Sequence, residues 1–177
     1  MILQILKPTY TPLILAGIIM LFLGTTAFSS TPSAQAKTVY GYLEPVTLYP
    51  DGITLTAKLD TGAKTASISA KDIYLYKKNG QDYVKFKVSH PDIEETPAYN
   101  LPLQRVVTIK KRASESGSKK HDKRPVVKIP IHFDSKRYQI SVNLIDRSHF
   151  STPMLLGREA LKNFSAIVDS ALKNTVK

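Results

Sequence analysis

The chain has 177 residues, with 25 lysines and arginines against 14 acidic residues, and no cysteine. The lack of cysteine excludes disulfides, thiolate nucleophiles and cysteine-based zinc sites. A net charge of +11 favours acidic partners, such as anionic lipid heads, cell-wall polymers, acidic peptides or nucleic acid, and says nothing about the fold.

The first 36 residues have the pattern of a secretion signal. Lys7 is their only charged residue, an apolar run covers residues 13–23, and Ala34-Gln35-Ala36 matches the small-x-small pattern that signal peptidase cleaves. The apolar run is shorter than the roughly 20 residues of a spanning helix. We therefore predict a signal peptide over residues 1–36 and a periplasmic or secreted domain over residues 37–177. An uncleaved membrane anchor is the alternative.

Short strands dominate the rest of the chain. The predicted strands cover residues 53–59, 73–76, 83–88, 127–133 and 138–144, most of them with alternating apolar residues. Asn79-Gly80 is a strong hairpin signal, and Asp134-Ser135 forms a second short turn. Pro130 favours an edge position for its strand, because proline lacks the N–H that a ladder needs. Repeated alternation of this kind predicts an antiparallel sheet or barrel.

Two segments depart from this pattern. Residues 158–164 have the spacing of a short helix and directly follow Met154-Leu155-Leu156-Gly157. Residues 110–124 are rich in Lys, Arg, Ser and Gly, which predicts a flexible, solvated basic loop between two strands.

Asp60-Thr61-Gly62-Ala63, at the end of the strand 53–59, is the main candidate for catalysis. Two carboxylates held close together share one proton. One of them can then activate a water molecule, while the other polarises an amide carbonyl and protonates the leaving amine. The glycine lets the backbone approach closely, and the threonine can hydrogen-bond to a partner turn. The alternative is a turn aspartate in an Asx-turn, with a structural role only.

This motif and several later ones together resemble the retropepsin-like aspartic peptidases. Within them, the chain is similar to the bacterial family labelled ATP-dependent zinc protease. The resemblance covers roughly residues 40–170. It is carried by residues 58–65, Arg124-Pro125-Val126-Val127, Asp146-Arg147-Ser148 and residues 153–158. It implies an all-β fold, a small closed acid-protease barrel with one short C-terminal helix.

The resemblance also implies roles for individual residues. Asp60 matches the catalytic aspartate. The residues that complete or support its turn are Thr61, Gly62, Ala63, Leu156, Gly157 and Arg158. Because the chain contains one Asp-Thr-Gly turn, a working pair of carboxylates requires Asp60 from two copies. The resemblance thus implies a homodimeric aspartic endopeptidase that hydrolyses peptide bonds.

One position departs from the viral relatives. They have an aspartate four positions after the catalytic one, and it pairs with the arginine that matches Arg158. Here that position is Lys64, so Arg158 needs another partner, and Glu159 and Asp169 are the candidates.

Two other functions stay open. A fold does not by itself establish an activity. A retropepsin-like domain that has lost its dimer or its catalytic water molecule would be a non-catalytic module that binds a peptide or an envelope component. A cationic cell-wall-binding protein would depend instead on the charge of residues 110–124.

The sequence predicts no cofactor and no metal site. ATP binding favours a glycine-rich loop ending in Gly-Lys-Ser/Thr, and a zinc hydrolase favours clustered ligands, such as two histidines at helical spacing beside a glutamate. The sequence contains neither pattern, and its four histidines are scattered at His90, His121, His132 and His149. ATP dependence and zinc dependence are therefore not supported.

The candidate substrate-binding residues are all basic: Lys64, Lys110, Lys111, Arg112 and Arg124. The loop of residues 110–124 is either a solvated charged surface or a flap that attracts an acidic peptide or protein. Nucleic acid is not predicted, because the aromatic residues lie outside this loop and no base-stacking groove is evident. Membrane contact is expected only through an uncleaved leader.

Overall fold

The computed structural model describes residues 36–94, 97–110 and 121–176. The predicted signal peptide, except for Ala36, and residues 111–120 of the predicted basic loop lie outside them. The elements are β1 (Thr38–Leu48), β2 (Thr54–Leu59), β3 (Ala66–Lys78), β4 (Gln81–Val88), β5 (Ala98–Lys110), β6 (His121–Phe133), β7 (Lys136–Ile145), β8 (Met154–Leu156), α1 (Arg158–Asn163) and β9 (Ala166–Lys173). Within these ranges, no helix is long and apolar enough to span a membrane.

The strands form one sheet that closes into two rings, which share β3, β7 and β6. The first ring runs β1–β2–β8–β3–β7–β6 and closes where Leu48 of β1 pairs with Ile131 of β6. The second ring runs β3–β4–β5–β6–β7. Strand β9 pairs in parallel with β1, outside both rings. The described chain is thus mostly β with one short helix, which confirms the predicted fold class.

Alternation within the strands builds one continuous apolar core. In β2, Leu55, Ala57 and Leu59 are buried while the residues between them are exposed, and burial of such side chains is the main stabilising term in folding. The largest fully buried apolar side chains are Phe86, Phe133, Leu48, Leu55, Ile68, Ile129, Ile131, Ile140, Leu144, Met154 and Leu156.

The structure confirms the two predicted turns and corrects one inference about Pro130. Asn79-Gly80 and Asp134-Ser135 join β3 to β4 and β6 to β7 with positive φ at all four residues, as hairpin turns of this kind require. Strand β6 is not an edge strand, because it pairs with β7, β5 and β1. Its pairing with β5 stops at Val127 and that with β1 begins at Ile131, so Pro130 occupies the gap where no ladder N–H is needed.

Several observed strands lie outside the predicted ranges, namely β1, β5, β8, β9 and the first part of β3. Lys110 and residues 121–124, inside the predicted basic loop, belong to β5 and β6 and pair with each other across the hairpin. Strand β9 was not predicted, because most of its residues are exposed and it lacks a buried apolar face. Its strand conformation comes from its parallel pairing with β1.

A buried carboxylate, Glu44 of β1, fastens the end of the described chain. Its two oxygens accept hydrogen bonds from the backbone N–H groups of Gly41, Thr175 and Val176 and from the hydroxyl of Thr175, at 2.6–3.0 Å. Burial works to raise the pKa of Glu44, but the hydrogen bonds from Thr175, Val176 and Gly41 outweigh burial and hold the pKa below the ordinary glutamate value. The ionised side chain therefore stabilises the folded state.

The segment after β8 runs alongside the turn that follows β2. The backbone N–H of Arg158 donates to the carbonyl of Ala63 over 2.9 Å, and that of Glu159 donates to Lys64 over 3.1 Å. A β-carbon at Gly157 would lie 2.5 Å from the carbonyl oxygen of Thr65 and 2.9 Å from that of Ala63. Position 157 requires glycine because two backbone segments touch there.

We expect Glu44→Gln to lower the free energy of unfolding by about 2–3 kcal/mol, because several buried donors lose an ionised acceptor. The pKa of Glu44 is lower in the folded chain, so its contribution is full above the ordinary value of about 4.3 and declines as the pH falls through the folded value. Urea denaturation at several pH values measures this difference. Glu94→Gln, at an exposed position, is the matched control, and a Glu44→Gln deficit that persists unchanged into acid would contradict the role of the charge.

We expect Gly157→Ala to lower the free energy of unfolding by about 2 kcal/mol, because the new methyl group forces two backbone segments apart. The backbone amides of Arg158 and Glu159 should then exchange with deuterium faster than in the wild type. Gly80→Ala is the comparison: its positive φ strains the backbone of alanine, but nothing lies within 4 Å of the added carbon, so it should leave the exchange of the Arg158 and Glu159 amides unchanged. If both amides exchange at the same rate in the wild type and in Gly157→Ala, the close contact between the segment after β8 and the turn after β2 is refuted.

Candidate active site

Asp60 follows β2 directly and lies in a turn held from two sides. Its backbone N–H donates to the carbonyl of Leu156 over 2.9 Å. Its Oδ1 atom accepts hydrogen bonds from the N–H groups of Gly62, at 2.9 Å, and Ala63, at 3.2 Å. Asp60 is half-buried and Thr61 is exposed. The carboxylate is therefore fixed in direction by Oδ1 and still accessible from solvent.

Arg158, the first residue of α1, holds the same turn from outside. Its Nη1 atom donates to the carbonyl of Thr61 over 3.0 Å and to that of Gly62 over 2.9 Å. The candidate partners Glu159 and Asp169 make no ion pair with it in the described chain. The carbonyls of Thr61 and Gly62 take the place of a carboxylate at position 64, where the chain has lysine. They lie within reach of the Arg158 guanidinium because the segment after β8 contacts the turn after β2.

A cluster of polar side chains lies beyond the turn. Ser67, Asn143, Arg147 and Thr152 are buried and Thr65 is half-buried. Arg147 donates through Nη1 to the Ser67 hydroxyl over 3.1 Å and through Nε to the carbonyl of Thr152 over 3.2 Å. Asn143, which pairs with Ser67 across β3 and β7, donates through Nδ2 to the hydroxyl of Thr65 over 2.8 Å. The Oδ1 atom of Asn143 is buried and has no partner in the described chain.

The charge of Arg147 has no carboxylate partner among the described residues. Arg147 is 6% exposed, and the ring of Phe150 lies 4.5 Å from the centre of its guanidinium. Burial lowers the pKa of Arg147, the positive charge of Arg124 lowers it further, and the carboxylate of Asp60 opposes both. Arg124, Arg147 and Asp60 are therefore close enough to interact electrostatically.

The structure places the predicted substrate-binding residues in different surroundings. Lys64 is exposed beside the Asp60 turn. Arg124, on β6, pairs through Nε with Asp122 at 2.8 Å. Lys110 ends β5, while Lys111 and Arg112 lie outside the described residues. Of those that the structure describes, Lys64 adjoins Thr65 of the polar cluster, and the charge of Arg124 acts on Arg147.

The described histidines have different surroundings. His90 is buried, and its Nε2 atom lies 3.0 Å from the carbonyl oxygen of Phe150. His132 accepts a hydrogen bond from Arg137, and His149 is exposed. Across residues 36–94, 97–110 and 121–176, no three His, Asp or Glu side chains are grouped so that they could hold a metal ion.

Reasoning from the sequence missed Arg147 and Asn143 as candidate site residues. Arg147 stood within the motif Asp146-Arg147-Ser148, but the burial of its side chain was not visible there. Asn143 reads as the polar position of an alternating strand, which normally faces solvent. The available sequence signal was weak: Asn143 lies near the end of the apolar alternating segment 138–144, and Arg147 follows that segment closely.

Comparisons with known proteins agree with this geometry. Residues 39–177 match the family described as "RimB-like: Retropepsin-like aspartic endopeptidase RimB". A "Probable alpha-L-glutamate ligase" of Desulfotalea psychrophila (strain LSv54 / DSM 12343) is 33% identical over 139 residues, which are 78% of this chain and 29% of that protein. A protein of the same name from Shewanella pealeana (strain ATCC 700345 / ANG-SQ1) is 31% identical over 109 residues, 62% of this chain and 23% of that protein. The chain thus spans less than a third of the length of these relatives.

A solved structure has the same fold. The crystal structure of protein Lpg0085, of unknown function, from Legionella pneumophila subsp. pneumophila str. Philadelphia 1 superposes with a TM-score of 0.68 and 38% identity, covering 80% of this chain and 100% of that one. With the family match over nearly all of the described residues, this agreement settles the relationship. The chain belongs to the RimB-like family of retropepsin-like aspartic endopeptidases.

Proposed function

We propose that this protein is an exported aspartic endopeptidase whose catalytic pair consists of Asp60 from two copies of the chain. The observation that carries the proposal is the turn itself. Both hydrogen bonds to the Asp60 carboxylate fall on Oδ1, from Gly62 and Ala63, while Leu156 and Arg158 hold the backbone around it. Such a carboxylate keeps one oxygen, Oδ2, for a water molecule and a second carboxyl group. The proposed export rests on the signal pattern of residues 1–36.

The chemistry follows from two carboxyl groups that share one proton. The ionised Asp60 takes a proton from a water molecule held between the two groups, and the water oxygen attacks the peptide carbonyl carbon. The protonated Asp60 of the other copy polarises the carbonyl oxygen. When the C–N bond breaks, a proton passes to the leaving amine. A carboxylate already fixed by two backbone N–H groups needs little rearrangement during this reaction.

A surface beside the turn suits a second copy. A groove of about 410 Å³ is lined by Thr61, Arg158, Leu161 and neighbouring residues, among them Lys37 and Ala166, at the starts of β1 and β9. Next to these strand ends, Val39 and Ile167 are backbone partners, 48% and 46% exposed. Two copies that cover this apolar pair would bring their Asp60 turns toward each other across a two-fold axis.

An acidic peptide is the substrate class that the charge favours. The chain carries +11, and it is similar to part of proteins named as probable alpha-L-glutamate ligases, whose names refer to glutamate. A peptidase that acts on glutamate-rich peptides would meet opposite charge at Lys64, beside the Asp60 turn, and at Arg124, whose charge acts on Arg147.

We expect Asp60→Asn to abolish peptide cleavage while the melting temperature stays close to that of the wild type, because asparagine keeps the Oδ1 acceptor but cannot share a proton. Cleavage of a mixed peptide library, read by mass spectrometry, measures the loss, which should exceed about a thousandfold. Pepstatin should inhibit the wild type. Asp72→Asn makes the same chemical change at an exposed site on β3 and should cleave normally. An Asp60→Asn variant as active as the wild type would exclude Asp60 as the catalytic group.

We expect Ile167→Glu to give a monomer that does not cleave peptides, because a charge replaces half of the exposed apolar pair and would be buried between copies. Sedimentation velocity and the cleavage assay are run on the same samples. Leu75→Glu is the control, since Leu75 is 45% exposed on β3. If the wild type cleaves peptides as a monomer, a catalytic pair formed by Asp60 from two copies is refuted. If the wild type is monomeric and cleaves nothing, a peptide-binding module is favoured.

A further inference from the structure

The most unusual charge in the described chain is that of Arg147. A buried cation is costly unless a carboxylate or another anion compensates it. Arg147 is 6% exposed, yet its side chain donates hydrogen bonds only to a hydroxyl and a carbonyl, those of Ser67 and Thr152. No carboxylate of the described residues forms an ion pair with it. The fold has therefore kept a desolvated guanidinium without an anionic partner close to Asp60.

Two further observations concern the surroundings of Arg147. Arg124, on β6, is a second guanidinium whose positive charge lowers the pKa of Arg147, and its only ion pair in the described chain is the one through Nε with Asp122 at 2.8 Å. Asn143, on β7, has a buried Oδ1 atom without a partner in the described chain. A buried cation without a carboxylate partner, a second cation whose charge acts on it, and an unpaired acceptor together match a ligand that carries both a carboxylate and an N–H donor.

We propose that Arg147 and Arg124 bind the side-chain carboxylate of an acidic residue in the peptide substrate, and that Asn143 accepts a hydrogen bond from the backbone N–H of that peptide. The proposal rests on the proposed function, because it assigns the specificity-determining residues of the same site. Arginine suits this role because its planar fork binds a carboxylate through two parallel hydrogen bonds.

Phe150 controls access to this subsite. Its ring stacks on the guanidinium of Arg147, while 53% of the side chain is exposed. Its backbone is held by His90, whose Nε2 atom lies 3.0 Å from the Phe150 carbonyl oxygen. Rotation of the Phe150 side chain alone would therefore open the guanidinium to a carboxylate without moving the chain.

The test measures binding in the Asp60→Asn protein, in which the probe is not cleaved. The probes are a fluorescein-labelled hexaglutamate peptide and the same peptide with glutamine at every position, compared by fluorescence anisotropy at about 0.15 M salt, where remote surface charges are screened. Arg147→Met and Arg124→Met are added to this protein one at a time. The matched control is Arg137→Met, which removes an exposed guanidinium that also stacks on an aromatic ring, that of Tyr49.

We expect Arg147→Met to weaken binding of hexaglutamate by about tenfold or more and that of the glutamine peptide by less than about twofold. Arg137→Met should change neither by more than that factor. Equal losses for both peptides would show that Arg147 is only structural, and an equal loss in Arg137→Met would show that only total charge matters. Either outcome overturns the proposal, as does a parent protein with no preference for glutamate.

Folding is checked by circular dichroism. If Arg147→Met does not fold, Arg147→Lys, which keeps the charge, and Arg124→Met decide the matter. The first should keep the preference for glutamate and the second should reduce it, and an unchanged preference in Arg124→Met overturns the proposal. Cleavage by the wild type is scored separately. Arginine-dependent binding without cleavage would refute the peptidase and leave the subsite standing, whereas cleavage of neutral peptides without a glutamate preference would refute only the subsite.

Discussion

The close contact of two backbone segments at Gly157 is the constraint on which the site depends. The absence of a β-carbon there lets the chain after β8 lie against the turn after β2, with contacts of less than 3 Å from the position that a methyl group would take. That contact allows Arg158 and Glu159 to donate backbone hydrogen bonds to Ala63 and Lys64. The Asp60 turn is therefore supported by main-chain interactions, which are insensitive to side-chain motion.

The same close contact explains why Arg158 does not need the aspartate expected from the resemblance to viral peptidases. Arg158 starts the short helix α1 directly after the glycine, so its side chain reaches back to the carbonyls of Thr61 and Gly62. A guanidinium needs acceptors in fixed positions, and a tight turn presents two adjacent ones. The carbonyl oxygens of Thr61 and Gly62 thus bind Arg158 in place of a carboxylate at position 64, and the side chain of Lys64 is exposed to solvent.

The two buried ionised groups are treated in opposite ways by the fold. Glu44 is surrounded by donors from Gly41, Thr175 and Val176, so its charge is compensated and fastens the chain end beside β1. Arg147 receives neutral acceptors only, although the chain is strongly basic and another arginine lies near it. A compensated charge stabilises the fold, whereas a buried charge without a partner is more typical of a binding site.

The sequence by itself determined the features that depend on neighbouring residues. Alternation placed β2, β4, β6 and β7, the turn pairs Asn79-Gly80 and Asp134-Ser135 placed two hairpins, and the ordered motifs around Asp60 and Gly157 led to the family. Tertiary structure alone decided what depends on distant contacts. Arg147 meets Ser67 across 80 positions and Glu44 meets Thr175 across 131, and β9 is a strand because β1 lies beside it. Local patterns cannot encode such partners, because burial and pairing arise only when the whole chain closes on itself.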